Sequence, residues 1–210
     1  MKLQVALDVE TLERAVELIE QVKDYADIIE LGTGFMGTYG YRLVEEVRKL
    51  YPDIVILADV KIVDGGYGVS IKVFDYGANI STVVGYADEQ TLAGAVKAAE
   101  EAGPGHYAMA DLMHVPDYTV HQDKLNKVGM HYVSAHAATD REDNDENFEK
   151  VLQRLADTKL TAKLAVAGRI TLARMPLVKK YNPDLIIVGS AITKAEDPRA
   201  AAKAFKEAMA

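Results

Sequence analysis

Eight short apolar runs rich in Val, Ile, Leu and Ala recur along the chain, at about residues 3 to 8, 27 to 31, 54 to 60, 79 to 84, 107 to 112, 131 to 136, 162 to 167 and 184 to 189. Each has the length and character of a strand. Runs without alternation, such as Ile54-Val55-Ile56-Leu57-Ala58, mark strands covered on both faces, as in a parallel sheet. Between the runs the apolar period changes. Leu12, Val16, Ile19 and Val22 recur every three or four residues and make one stripe of a helix. Helix punctuation agrees: Asp88 and Asp197 stand where N-caps belong, Pro198 where a first helical turn accepts proline, and Gly103 where the Ala-rich fourth helix should stop.

Strict alternation of strand and helix requires a parallel sheet with right-handed crossovers. Eight units of roughly 26 residues predict an α/β chain folded as a single (β/α)8 TIM barrel over 1–210. An open doubly wound sheet is the competitor, but it usually has fewer strands and a glycine-rich first turn. Here that turn reads Asp8-Val9-Glu10-Thr11.

Composition narrows the classes. The chain has no cysteine, which excludes disulfides, thiolate catalysis and thiolate-bound zinc. With an N-terminus that enters a strand directly, this predicts a soluble cytoplasmic protein. No apolar run approaches the roughly 18 residues of a membrane span, so no membrane partner is expected. Acidic residues outnumber basic ones 32 to 24, against the basic face that nucleic acid requires. The densest charge run, 140–147, reads as a solvated loop leading into a helix.

The C-terminal strand ends of such a barrel carry its chemistry. Here they supply Asp8, Glu30, Asp59 with Lys61, Asp111 and His136. The segment Asp59-Val60-Lys61-Ile62-Val63-Asp64 places two carboxylates and an ammonium in six residues at the end of an apolar strand. Period-two alternation points Asp59 and Lys61 the same way and leaves Asp64 beyond the strand. Carboxylates crowded in a low-dielectric mouth raise one another's pKa unless cations intervene. Lys61 is one such cation. Mg²⁺, which takes one or two carboxylates with substrate oxygens and water, is the expected second, with Glu30 and Asp59 as its ligands. The alternative is that Lys61 alone neutralises them. His136 is the expected proton carrier; His106, His121 and His131 lie away from strand ends and read as structural, and His114, in the loop after strand five, either reaches the mouth or only covers it. Gly168 with Arg169, and Gly189 with Ser190, follow the last two strands, where many barrels bind phosphate beside a short extra helix.

These residues together resemble the orotidine-monophosphate decarboxylase suprafamily, in the branch of the 3-hexulose-6-phosphate synthases and 3-keto-L-gulonate-6-phosphate decarboxylases. The resemblance rests on Leu3-Gln4-Val5-Ala6-Leu7-Asp8, on Asp27-Ile28-Ile29-Glu30-Leu31-Gly32-Thr33, on the D-x-K-x-x-D of Asp59, Lys61 and Asp64, and on Val188-Gly189-Ser190-Ala191-Ile192-Thr193. It implies a barrel of the ribulose-phosphate-binding type that makes a 1,2-enediolate from a sugar phosphate with Mg²⁺. Glu30 and Asp59 then occupy the metal positions, Lys61 the enediolate-stabilising position and His136 the proton-transfer position. Asp8, Asp111, Gly168, Arg169, Gly189 and Ser190 fall to substrate. The resemblance also implies a homodimer in which Asp64 enters the partner's site. Asp111-Leu112-Met113-His114-Val115 is similar to the synthase pattern, and Thr139 stands where the decarboxylases usually carry arginine. Two departures stand out: His136-Ala137-Ala138-Thr139-Asp140 lacks the synthases' glycine pattern, and Arg169 replaces a common second glycine. The expected activity is addition of formaldehyde to ribulose 5-phosphate. Decarboxylation through the same enediolate and a catalytically silent sugar-phosphate-binding barrel are the alternatives.

Overall fold

The computed structural model describes residues 1–137 and 145–210. Its centre is a closed barrel of eight parallel strands in sequential order: β1 (Lys2–Leu7), β2 (Ile28–Leu31), β3 (Ile56–Ile62), β4 (Ile80–Val84), β5 (Tyr107–Asp111), β6 (Tyr132–His136), β7 (Lys163–Ala167) and β8 (Leu185–Val188). Closure is made by β1 against β8, where Lys2 pairs with Leu185 and Val5 with Val188. This is the (β/α)8 architecture that the alternating pattern predicts, with strand boundaries displaced by one or two residues.

The helices are α1 (Leu12–Val22), α2 (Thr33–Tyr39), α3 (Arg42–Leu50), α4 (Gly66–Asp75), α5 (Glu89–Ala102), α6 (Thr119–Lys127), α7 (Asp145–Ala156), α8 (Met175–Lys180), α9 (Ser190–Thr193) and α10 (Pro198–Met209). Among the described residues two more appear than one per crossover: the β2–β3 connection holds both α2 and α3, and α9 is the extra turn expected after β8. Thr11 caps α1 by accepting from the Arg14 N–H, and Asp197 caps α10 by accepting from Ala200. Asp88 occupies the cap position of α5 without a side-chain bond there. The acidic run at 140–147 runs into α7 at Asp145; its portion up to 144 lies outside the described residues.

Period two sorts each strand between two cores. In β1, Leu3, Val5 and Leu7 face the helices, where they join Leu18, Ile19 and Val22 of α1. Ala6, Leu57, Met109, Tyr132 and Leu185 fill the barrel axis instead. The inner side of the same strands turns polar toward the C-terminal mouth, at Glu30, Asp59, Thr82, Asp111 and Ser134, all buried. A tight seam between α4 and α5 fixes the segment following β3. A Cβ on Gly66 would lie 1.8 Å from the Thr91 carbonyl oxygen, and one on Gly94 would lie 2.7 Å from the Tyr67 nitrogen.

Candidate active site

A cavity of about 720 Å³ opens at the C-terminal mouth. Asp8 and Glu30 line it from the first two strands, and Asp59 and Lys61 from the third. Asp111 and His136 come from the fifth and sixth strands, with Asp111 within reach of Lys61, and Gly168, Arg169, Gly189 and Ser190 close the remaining arc. Ten of the eleven site residues read from the sequence therefore share one space. The eleventh, Asp64, is exposed in the loop after β3, where it accepts from the Gly65 N–H at 2.7 Å and does not line this cavity. His114 is likewise exposed and outside it. His131 accepts from the Ala108 N–H through Nδ1, and Nδ1 of His106 lies 3.2 Å from the Gly103 carbonyl, in keeping with structural roles.

Lys61 reaches the mouth by a route that simple alternation does not describe. Ala58 pairs with Ser81 and Ile62 with Val83, so β3 takes four residue steps where β4 takes two. This bulge puts Lys61 in the left-handed region at φ 43°, a conformation that costs an ordinary side chain about 1–3 kcal/mol and persists where surrounding contacts impose it. Its Nζ then donates to Asp59 Oδ2 at 2.6 Å and to Asp111 Oδ2 at 3.2 Å. Burial works against the ammonium, but Asp59 and Asp111 outweigh it and hold its pKa above the ordinary lysine value.

Asp111 joins this pair to the histidine, its Oδ2 also lying 3.0 Å from His136 Nδ1. Burial alone would raise the Asp111 carboxyl. The His136 hydrogen bond and charge, the Lys61 charge and the Met113 N–H together lower it to about 2. Asp111 thus remains an anion throughout the neutral range, and its bond to Nδ1 leaves His136 Nε2 as the nitrogen available for proton exchange.

On the other side, Glu30 accepts from Gln4 Nε2 at 2.6 Å. Burial first, and Asp59 next, push its carboxyl up to about 8 against that hydrogen bond. Asp8 is raised as well, mostly by burial and then by Asp59. The ion pairs of Lys61 are with Asp59 and Asp111, not with Glu30. The Lys61 charge favours the Glu30 anion only from a distance, and a second cation beside Glu30 and Asp59 would relieve the repulsion that lifts Glu30. The donors are all carboxylate oxygens, a hard set suited to Mg²⁺. Among the described residues, no three His, Asp or Glu side chains close into a complete metal cage. Mg²⁺ does not require one, since it keeps several waters and is held by one or two carboxylates.

The β7 and β8 ends are shaped by close backbone approach. A Cβ on Gly168, which has φ 86°, would lie 2.0 Å from the Ala137 carbonyl oxygen, so only glycine fits there. Arg169 follows at φ 55°, and its carbonyl accepts from Arg174 Nη1 at 2.8 Å. At the neighbouring ends of β1 and β2, a Cβ on Gly32 would lie 2.0 Å from Asp8 Oδ1, so that glycine makes room for the Asp8 carboxylate.

Several polar residues lining the site escaped the sequence reading, among them Ser134, Thr171, Thr193 and Lys194; three others, Gln4, Thr33 and Thr82, bond its carboxylates. Thr33 donates to Asp59 Oδ2 at 2.6 Å, and Thr82 donates to Asp59 Oδ1 at 2.8 Å. Gln4 had a signal, being two positions before Ala6 and four before Asp8 on the inward side of β1. Thr82 had none of use, because threonine is ordinary in strands.

The model of the Orotidine 5'-phosphate decarboxylase / HUMPS family matches residues 1–205. The chain is 37% identical over 210 residues to the 3-hexulose-6-phosphate synthase of Mycobacterium gastri, covering 100% of both. It superposes with a TM-score of 0.90 on the crystal structure of 3-hexulose-6-phosphate synthase from Salmonella typhimurium, at 35% identity over 100% of this chain and 98% of that one. The 3-keto-L-gulonate-6-phosphate decarboxylase from Vibrio cholerae aligns with a TM-score of 0.84 and 25% identity, over 99% of this chain and 96% of that one.

Proposed function

The chain belongs to the orotidine 5'-phosphate decarboxylase / HUMPS family, and from that premise we propose that it is a lyase acting on a sugar phosphate, namely a 3-hexulose-6-phosphate synthase. The reaction is the reversible aldol addition of formaldehyde to D-ribulose 5-phosphate. C1 of the sugar loses a proton to give a 1,2-enediolate, C1 then attacks the formaldehyde carbon, and the new alkoxide takes up a proton. The observation that carries the reading is the line Asp59, Lys61, Asp111, His136 along one cavity wall, joined by contacts of 2.6, 3.2 and 3.0 Å.

Each residue has a task in this scheme. Lys61, held cationic by its two carboxylates, faces the enediolate oxygens and stabilises the negative charge that develops there. His136 moves the proton through Nε2 while Asp111 fixes its ring. Gly168, Arg169, Gly189 and Ser190 take the phosphate through backbone N–H groups and one guanidinium, and Asp8 orients sugar hydroxyls. Glu30 and Asp59 would hold Mg²⁺, which when bound supplies Lewis-acid stabilisation of the developing oxyanion. Asp64, exposed and outside the lining of its own cavity, completes the site of a second copy, so the active form is a homodimer. The described helices include none long and apolar enough to cross a membrane, and our reading places the enzyme in the cytoplasm without a nucleic-acid partner.

The test runs formaldehyde consumption with ribulose 5-phosphate beside CO₂ release from 3-keto-L-gulonate 6-phosphate, both with Mg²⁺. Faster formaldehyde consumption supports the synthase. Faster CO₂ release transfers the assignment to the decarboxylase. If neither occurs and the C1 hydrogen of ribulose 5-phosphate fails to exchange in D₂O, the chain is a silent sugar-phosphate-binding barrel.

A further inference from the structure

We propose that Thr82 is a positioning residue for the proposed reaction: its hydroxyl straps the β3 bulge so that Lys61 and Asp59 present their charges to the same point of the cavity. Where Lys61 leaves the regular β3–β4 ladder, its N–H donates to Thr82 Oγ1 at 2.9 Å. The same hydroxyl donates its proton to Asp59 Oδ1 at 2.8 Å. One oxygen therefore accepts from the residue that carries the ammonium and donates to the carboxylate that binds this ammonium. Thr82 is 4% exposed, so water does not readily replace it in either bond.

Three observations point the same way. The bulge between Ala58 and Ile62 removes regular ladder partners. Lys61 is held at φ 43°, a conformation that needs an external contact to persist. Asp59 is gripped on both oxygens, through Oδ2 by Thr33 and Lys61 and through Oδ1 by Thr82. The Thr33 and Lys61 bonds leave the carboxylate free to swing about Oδ2; the Thr82 bond fixes its plane. A β-branched hydroxyl is the one common side chain that packs like valine in β4 and also joins both groups. Because Thr82 acts through Asp59 and Lys61, its loss should lower turnover more than substrate affinity.

The experiment compares Thr82→Val, which keeps shape and loses the hydroxyl, with Thr82→Ser, which keeps the hydroxyl. The readouts are kcat and KM with ribulose 5-phosphate and formaldehyde, and hydrogen–deuterium exchange of the Lys61 amide. Expected for Thr82→Val are a kcat lower by about 10- to 100-fold, the cost of a misplaced reacting group, a KM for ribulose 5-phosphate within about threefold, and faster exchange at Lys61. Thr82→Ser should recover most of both kcat and protection. If Thr82→Val does not fold, Thr82→Ala carries the same comparison. Wild-type kcat in the hydroxyl-free variant, or failure of serine to restore it, overturns the proposal. The inference rests on the synthase reading but fails separately from it. A wild-type protein that neither adds formaldehyde nor exchanges C1 hydrogen defeats the reading, whereas an unchanged Lys61 amide in Thr82→Val defeats the strap itself.

Discussion

Replacing Glu30 with glutamine should remove a loss of stability that sets in as pH rises. In the metal-free protein the Glu30 carboxyl is raised from 4.5 to about 8, mainly by burial and by Asp59. Between those values the folded state keeps a proton that the unfolded chain has lost. Stability therefore falls as pH rises through this window, and the full penalty is present above about pH 8. At about 1.4 kcal/mol per unit the displacement is worth at most about 5 kcal/mol, and water entering the open mouth reduces it, so we expect about 2–5 kcal/mol. Glutamine has the same shape, accepts from Gln4 Nε2 as Glu30 does, and carries no charge to repel Asp59. The assay is thermal unfolding of wild type and Glu30→Gln in EDTA from pH 5 to pH 9. Near pH 5 the two should melt alike. At pH 9 the variant should melt higher by roughly 5–15 °C, at about 2–4 °C per kcal/mol for a domain of this size. Adding Mg²⁺ should close the gap by stabilising wild type alone, as expected for a ligand that binds the native state. Parallel melting curves across the whole pH range would refute the reasoning, because they would mean that Glu30 ionises without cost.

Other perturbations follow from the same geometry. Lys61→Ala should leave the barrel folded, as circular dichroism would show, yet lower kcat by about 100-fold or more, the scale of a lost oxyanion partner; retention of over about a tenth of the rate, a change under roughly 1.4 kcal/mol, would contradict its role. Mixing Lys61→Ala with Asp64→Asn should restore up to about a quarter of wild-type activity if Asp64 crosses a two-fold interface, since half of randomly mixed dimers would hold one intact site; no recovery on mixing would place Asp64 in its own site. Gly66→Ala forces a methyl against the Thr91 carbonyl and should lower the melting temperature by several degrees, in line with an overpacking cost of about 1–3 kcal/mol; an unchanged melt would show that the α4–α5 seam relaxes freely.

The element order was legible because it depends on short-range pattern. Apolar runs and helical stripes report which residues must leave water, and alternating strands with helices permits few closures. The strand-end list was legible for a related reason: once the barrel is accepted, period two tells which residues turn inward, and Glu30, Asp59, Asp111 and His136 all do. The second helix of the β2–β3 connection was missed because α2 is short and rich in small or polar residues, with too little apolar stripe to announce it, whereas the turn α9 was expected only from the phosphate-site pattern after β8.

What the chain alone could not decide is who pairs with whom inside the mouth. Sequence placed Lys61 beside Asp59, two residues away, but its second carboxylate, Asp111, lies fifty residues on. The hydrogen bonds from Gln4 to Glu30 and from Thr82 to Asp59 likewise span more than twenty residues. Those partnerships depend on the stagger of neighbouring strands and on a bulge that bends one of them, and neither leaves a local mark. Residue type and period determine that charge collects at the barrel's open end. Only the closed sheet, by setting which distant oxygen lies within hydrogen-bond reach of a given donor, determines which of those charges stays ionised and which is driven toward neutrality.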